Sequence, residues 1–174
     1  MHCLAELKEF MLHLFNKTEI KYLLIIFTFL ILVTGINIKT SLRKGRDTTR
    51  KNDMSAMQKE VDTFLQKYKE FPKSTIDGRI IGCFIENPVV DNETSHALNA
   101  VACDWGVSKF ENINVINNDP SYRKGRKYLY ISDGDKYEIY VSLEGKNEDE
   151  YSLTIIQKNL HCGDFICNYG RWGS

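Results

Sequence analysis

The longest apolar stretch of the chain lies near its beginning. Between Lys21 and Lys39, the sequence YLLIIFTFLILVTGINI (residues 22–38) has no charged residue in 17 positions. A membrane-spanning helix needs about 17 to 25 such residues, whereas a core helix of a small domain is rarely apolar on every face. The pattern therefore predicts a transmembrane helix over residues 22–38, with a buried core helix as the alternative.

The pattern that follows is that of an amphipathic helix. Apolar residues recur every three or four positions, and polar residues fill the opposite face. The apolar positions are Met54, Met57, Val61, Phe64, Leu65, Tyr68 and Phe71. We expect Pro72 to end this helix, which makes residues 39–72 an amphipathic continuation of the membrane-spanning stem.

Beyond Pro72 the apolar pattern becomes that of β-strands. The predicted strands are residues 79–86, 127–132, 136–144 and 152–157. The turn Asp133-Gly134-Asp135 joins the second and third of them into a hairpin.

Alternation along residues 136–144 predicts one buried face and one wet face, with Glu138, Tyr140, Ser142 and Glu144 on the wet one. The expected fold class is α+β: a long N-terminal helix, membrane-spanning and then amphipathic, packed on a small antiparallel three- to four-stranded sheet. That sheet would form a globular domain over residues 73–174.

Charge is balanced in total but segregated along the chain. There are 23 basic and 23 acidic residues, a balance that gives no reason to expect nucleic acid as a partner. A basic cluster follows the apolar run and consists of Arg43, Lys44, Arg46, Arg50 and Lys51. We interpret it as a membrane-boundary cluster that binds lipid phosphates, the alternative being a solvated helix face.

Residues 1–21 carry apolar residues at helical spacing, which predicts a cytoplasmic segment lying along the membrane surface.

Four of the five cysteines fall in the predicted globular domain: Cys83, Cys103, Cys162 and Cys167. An even number in a small domain predicts two disulfides if the domain faces an oxidising compartment. Three pairings are possible. We favour Cys83 with Cys103 and Cys162 with Cys167, because each pair is closest in sequence.

Other chemistry has less support in the sequence. His161 with Cys162 and Cys167, or His96 with Cys103, could ligate zinc, but no zinc-binding spacing is present. The acidic turns SDGDK and GKNEDE could bind calcium, but solvated hairpin turns of this kind are commoner than calcium loops. We therefore predict no cofactor and no enzymatic activity.

The charged and amphipathic segment SLRKGRDTTRKNDMSAMQKEVDTFLQKYKEFP (residues 41–72) resembles the membrane-proximal helix of bacterial type IV pilin-like proteins and type II secretion pseudopilins. The sequence KYLYISDGDKYEIYVSLE is similar to the hairpin of the pseudopilin sheet, and CGDFICNYGRW is similar to the endings of some pilin-like chains. The Gly-Phe prepilin cleavage motif of those families does not precede the apolar run.

The resemblance implies a minor pilin or pseudopilin subunit of a type IV pilus or a type II secretion system. Its partners would be the bilayer, other pilin-like subunits or an assembly platform. Glu19 lies near the position of the family's stem glutamate, which neutralises a neighbouring subunit's amino terminus during assembly. The resemblance also implies an inner-membrane protein with its C-terminal domain outside the cytoplasm, although the positive charges that follow the apolar run favour the opposite orientation.

Two other classes of function stay open. One is a membrane-anchored ligand-binding or sensory ectodomain whose contact surface is the loop over residues 87–126, with Trp105, Phe110 and Tyr122 as candidate contacts. The other is a membrane-tethered hydrolase, for which His96, Cys103 and Asp104 are the available side chains.

Overall fold

The computed structural model describes residues 16–84 and 100–174. It has two units: residues up to Leu42, and Arg43–Ser174. The long helix α1 (Lys17–Tyr68) runs through both. The remaining elements all belong to the second unit. They are β1 (Lys73–Ser74), β2 (Ile80–Phe84), β3 (Ala100–Ala102), a 3₁₀ turn (Tyr122–Lys124), β4 (Leu129–Ser132), β5 (Tyr137–Val141), α2 (Leu153–Gln157), β6 (His161–Cys162), β7 (Phe165–Ile166) and β8 (Tyr169–Gly173).

Helix α1 ends at Tyr68, before the predicted stop at Pro72. Lys69 has a φ of +64°, a left-handed conformation that cannot continue a right-handed helix. Pro72 lies beyond the end in extended chain, where its carbonyl accepts a hydrogen bond of 2.6 Å from the buried hydroxyl of Tyr130. The proline therefore anchors the connection to the sheets.

The apolar face predicted for the second half of α1 is confirmed. Met54, Met57, Val61 and Phe64 are buried, and Leu65 and Tyr68 pack against the same core. The sheets contribute the other side of that core, including Ile80, Tyr130, Tyr137, Ile139 and Val141. Burial of this face, rather than helix propensity, is the main stabilisation that such a helix receives.

Within residues 16–84 and 100–174, the strands form three antiparallel sheets, where a single sheet of three or four strands was predicted. Their orders are β1-β2-β3, β4-β5-β8 and β6-β7. The predicted hairpin is confirmed as β4-β5, with Leu129 opposite Tyr140 and Ser132 opposite Tyr137. The coarse α+β class is therefore correct, with more and shorter strands than the sequence indicated.

Residues 152–157 form a helix, so the strand predicted there is wrong. The Ser152 side chain accepts the N–H of Ile155 and caps α2, and Ile155 is buried at helical spacing. The place beside β5 is taken by β8. A Cβ on Gly170 would lie 2.6 Å from a ring carbon of Tyr140, so glycine is what allows β8 to pass that ring.

The wet face predicted for residues 136–144 is wrong for two of its four residues, whereas Glu138 and Glu144 are partly exposed. Tyr140 and Ser142 are buried. Tyr140 packs with Ile155, Cys162 and Cys167 in a second, smaller core. This second core covers β5 around Tyr140 and leaves Glu138 partly exposed.

Candidate functional site

The first half of α1 presents an apolar surface on all sides. Within the described residues, α1 is the one helix whose length and composition would allow it to cross a membrane. Between Tyr22 and Leu42, the large apolar side chains that the structure describes are 41–68% exposed. We call residues 22–42 the apolar helix surface.

Two threonines of that surface bond their hydroxyls within the helix. The hydroxyls of Thr28 and Thr34 donate to the carbonyls of Leu24 and Leu30, each at 2.8 Å. Unpaired polar groups are costly in a hydrocarbon environment, so this back-bonding suits a helix that has no water around it.

Glu19 lies in the first turn of α1, where it has a local structural role. Its Oε2 accepts the backbone N–H of Asn16 at 2.9 Å. This is the contact that a glutamate at the third helical position makes in a capping box. Any role in subunit assembly would come in addition to this cap. The greater part of the predicted membrane-surface segment, residues 1–15, lies outside the described residues.

The basic cluster predicted at the membrane boundary is largely paired within the second unit. Arg50 is fully buried, and its guanidinium donates to Asp119 at 2.7 and 2.8 Å, to Asp47 at 2.7 Å and to Glu144 at 3.0 Å. We call these four residues the ionic cluster. A buried guanidinium cannot reach lipid phosphates, so the phosphate-binding interpretation is wrong for Arg50.

Every acid of the ionic cluster has further donors. Asp47 accepts the N–H groups of Glu144 and Gly145, each at 2.9 Å. Asp119 accepts the N–H of Ser121 at 2.6 Å. Burial alone would lower the pKa of Arg50, but its hydrogen bonds and charge interactions with the acids outweigh burial and raise it.

Glu144 joins the ionic cluster to the solvent-facing side. Arg46 donates to both of its carboxylate oxygens, at 2.8 and 2.5 Å. This hydrogen bonding, reinforced by Arg50 and Ser121, lowers the pKa of Glu144 to about 2 despite its partial burial. Glu144 therefore stays ionised over the whole physiological range.

Lys51 is paired with the acidic turn after β5. Its Nζ lies 3.0 Å from Glu148 and 2.6 Å from Glu150. This turn was one of the two considered for calcium, and two of its carboxylates instead neutralise a lysine. In the other turn, Asp133 accepts the N–H groups of Asp135 and Lys136. Of the basic cluster, Lys44 is exposed and Arg43 half-buried, so these two are best placed to meet an external anion.

The four domain cysteines are paired as favoured from the sequence. Cys83 and Cys103 lie 2.04 Å apart at sulfur, and Cys162 and Cys167 lie 2.06 Å apart. A disulfide sulfur is neither a thiolate ligand nor a nucleophile. The structure therefore contradicts the zinc and thiol-hydrolase alternatives, both of which need one of these cysteines free. His96 lies outside the described residues.

The predicted contact loop is described only from residue 100 onward. There Phe110 is fully buried in the core, and Trp105 packs against that core with its ring edge-on to Tyr128 at 5.7 Å. Tyr122, in the 3₁₀ turn, is 47% exposed. The three aromatic residues therefore do not form one contact surface, because Phe110 is a core residue.

No family model, curated protein or solved structure matches the chain. Among the described residues, the ionic cluster was the feature that sequence reasoning missed. Asp119 and Glu144 lie 69 and 94 positions from Arg50, and no local pattern links them.

Proposed function

We propose that this protein is a membrane-anchored structural or interaction subunit, of the kind that minor pilins and pseudopilins represent. The observation that carries the proposal is the apolar helix surface, which is uncharged between Lys21 and Lys39 and exposed on all sides. A surface of this size is not stable in water and needs lipid or other helices around it. The helix would anchor the chain and pack with partners, and the second unit would be displayed.

The proposed location is the inner membrane, with the domain of residues 43–174 outside the cytoplasm. Two disulfides in this domain support that side, because disulfides persist in oxidising compartments. Positive charges after the apolar run favour the other side. We give the cysteines more weight, because both pairs are buried parts of the fold.

Thiol labelling of intact cells tests the orientation. The probe is a membrane-impermeant maleimide, applied to a Cys3→Ser variant so that only the four domain cysteines can react. We expect labelling of intact cells only after reduction. Labelling that needs permeabilised cells but no reductant would place the domain in the cytosol, with free thiols, and would refute the proposed display.

Oxidative cross-linking in membranes tests the packing of copies. Leu30 is 53% exposed on the apolar helix surface, and Leu30→Cys in the Cys3→Ser background should give disulfide-linked dimers, since each chain then has one free thiol. Lys146→Cys, at an exposed position of the domain, is the matched control and should not. If neither variant cross-links, the chain is not a homo-oligomeric subunit, and the ectodomain alternative gains support.

Glu19 separates assembly from helix capping. Glu19→Gln keeps a side-chain oxygen that can accept the Asn16 N–H but removes the charge. If Glu19 neutralises a neighbouring subunit, Glu19→Gln should reduce cross-linking through position 30 as much as Glu19→Ala does. If cross-linking falls only with Glu19→Ala, Glu19 acts through the helix cap and not through its charge.

A further inference from the structure

A groove of about 550 Å³ opens on the second unit where five segments meet. They are the β1–β2 turn, the loop after β3, the 3₁₀ turn, the start of β4 and the β6–β7 hairpin. Its volume lies within the range of about 300 to 1,000 Å³ that small-molecule sites occupy. Nothing in the proposed anchoring or packing function uses this groove.

One wall of the groove is a fixed fork of opposite charges. Arg79 donates to Asp77 at 2.8 Å and to Asp104 at 2.7 Å. The side chains of the two aspartates are 62% and 66% exposed. Since each carboxylate has several lone-pair positions, it can accept further hydrogen bonds from a ligand. The wall therefore offers donors and acceptors side by side.

The backbone holds this fork in place. The N–H of Arg79 donates to the Thr75 hydroxyl at 2.9 Å and closes the β1–β2 turn. Asp104 directly follows Cys103, which is bonded to Cys83, and its carbonyl accepts the N–H of Ser108 at 2.9 Å. A site that is ordered before binding loses less entropy when a ligand enters.

Aromatic side chains also line the groove. Trp105 is partly buried, with its ring edge-on to Tyr128, and Tyr122 is 47% exposed. Such rings offer rigid apolar surface at a small cost in side-chain entropy. The exposed ring of Tyr122 has no role in the core of the protein, since it lies outside both apolar clusters.

The charges that line the groove cancel. Asp77 and Asp104 are balanced by Arg79 and Lys127, and the other lining side chains with polar atoms are those of His161, Trp105, Tyr122 and Tyr128. The lining therefore gives neither an anion nor a cation a net field of attraction. A neutral ligand with many hydroxyl groups fits better, because each hydroxyl both donates and accepts, and the C–H face of a sugar ring can lie on an aromatic ring.

We propose that this groove binds a neutral oligosaccharide, with Trp105 and Tyr122 stacking on sugar rings and the Asp77–Arg79–Asp104 fork bonding to hydroxyls. The groove and its ligand lie wholly within residues 43–174, so this inference does not depend on membrane anchoring or subunit packing. An anchored protein with such a site would attach to polysaccharide.

The first test is an array of neutral, amino-substituted and acidic oligosaccharides probed with the full chain. The chain is kept in a detergent that has no sugar headgroup. We expect retention of at least one class of neutral glycan. Retention of none, or of acidic glycans alone, would overturn the proposal.

Tryptophan fluorescence then locates the site. The chain has two tryptophans, so Trp172→Phe leaves Trp105 as the single reporter. Titration with the retained neutral oligosaccharide should change its emission saturably below about 10 mM. Trp172→Phe also serves as the matched aromatic control and should bind like the natural chain.

Two variants decide whether the named side chains carry the binding. Tyr122→Ala alters an exposed ring, and Asp104→Asn keeps the shape of a largely exposed side chain, so neither should unfold the domain. Each is expected to raise the dissociation constant for the neutral oligosaccharide about tenfold or more. Unchanged binding in both variants, with near-UV circular dichroism like that of the natural chain, would refute the assignment of the site.

Discussion

Replacing Arg50 by methionine would leave the acids of the ionic cluster buried without their cation. Asp119 would lose the bonds at 2.7 and 2.8 Å and keep the Ser121 N–H, whereas Asp47 would keep two backbone donors. Removing one partner of a buried ion pair costs about 3–5 kcal/mol. Since small domains have about 5–15 kcal/mol in total, Arg50→Met should lose a large part of the stability of the domain.

Urea denaturation of the full chain in detergent, followed by near-UV circular dichroism, measures this loss. At pH 7 we expect Arg50→Met to unfold at a much lower urea concentration. Arg50→Lys should be intermediate, because lysine retains the charge but cannot make the forked bonds.

Adding Asp119→Asn to Arg50→Met provides the matched control. The double variant removes a charge from each side of the ionic cluster, and it should recover part of the stability at pH 7. A loss below about 1 kcal/mol in Arg50→Met, or a double variant no more stable than Arg50→Met, would refute the view that charge compensation stabilises this region.

Three further changes test the fold. The folded pKa of Glu144, about 2, lies below its ordinary value of 4.5, so its stabilisation is complete above about pH 5 and is lost as the pH falls toward 2. This amounts to about 3 kcal/mol, which Glu144→Gln should remove from the urea-midpoint profile; an unchanged profile would contradict it. Joint replacement of Cys162 and Cys167 by serine opens a short loop and should lower the free energy of unfolding by about 2 kcal/mol, measured by urea denaturation. Equal stability of the variant and the oxidised natural chain would contradict this. Gly170→Ala puts a Cβ 2.6 Å from a ring of β5 and should destabilise by about 1–3 kcal/mol, whereas Gly45→Ala, which meets nothing within 4 Å, should stabilise α1; equal urea midpoints would refute this.

The features that the sequence predicted correctly depend on the spacing of apolar residues within one segment. The apolar face of α1 follows from spacings of three and four residues, and its buried members Met54, Met57 and Val61 are the ones that the pattern selected. The β4–β5 hairpin follows from alternation around an Asp-Gly turn. In both cases neighbours in sequence determine the structure.

The wrong predictions concern segments whose structure is determined by packing against residues distant in sequence. Residues 152–157 have β-branched and apolar residues that suit a strand, but the Ser152 cap and the burial of Ile155 select a helix. Strand β8 has glycines at positions 170 and 173, which normally weaken a strand. Those glycines are needed there because the rings of Tyr140 and Tyr137 occupy the space of a side chain.

The ionic cluster changes the meaning of the basic segment that follows the apolar run. A basic residue that follows a membrane helix in sequence suggests a contact with lipid. Arg50 is instead buried and paired with Asp47, Asp119 and Glu144. These acids come from α1 itself, from the chain before the 3₁₀ turn and from the chain after β5, so the cluster forms only when three distant segments meet correctly. Apolar packing tolerates small shifts of a helix along a sheet, whereas a forked guanidinium between fixed carboxylates does not. Arg50 therefore sets the position of the second half of α1 against the sheets, and the case for a membrane anchor depends on the apolar helix surface rather than on the charges after it.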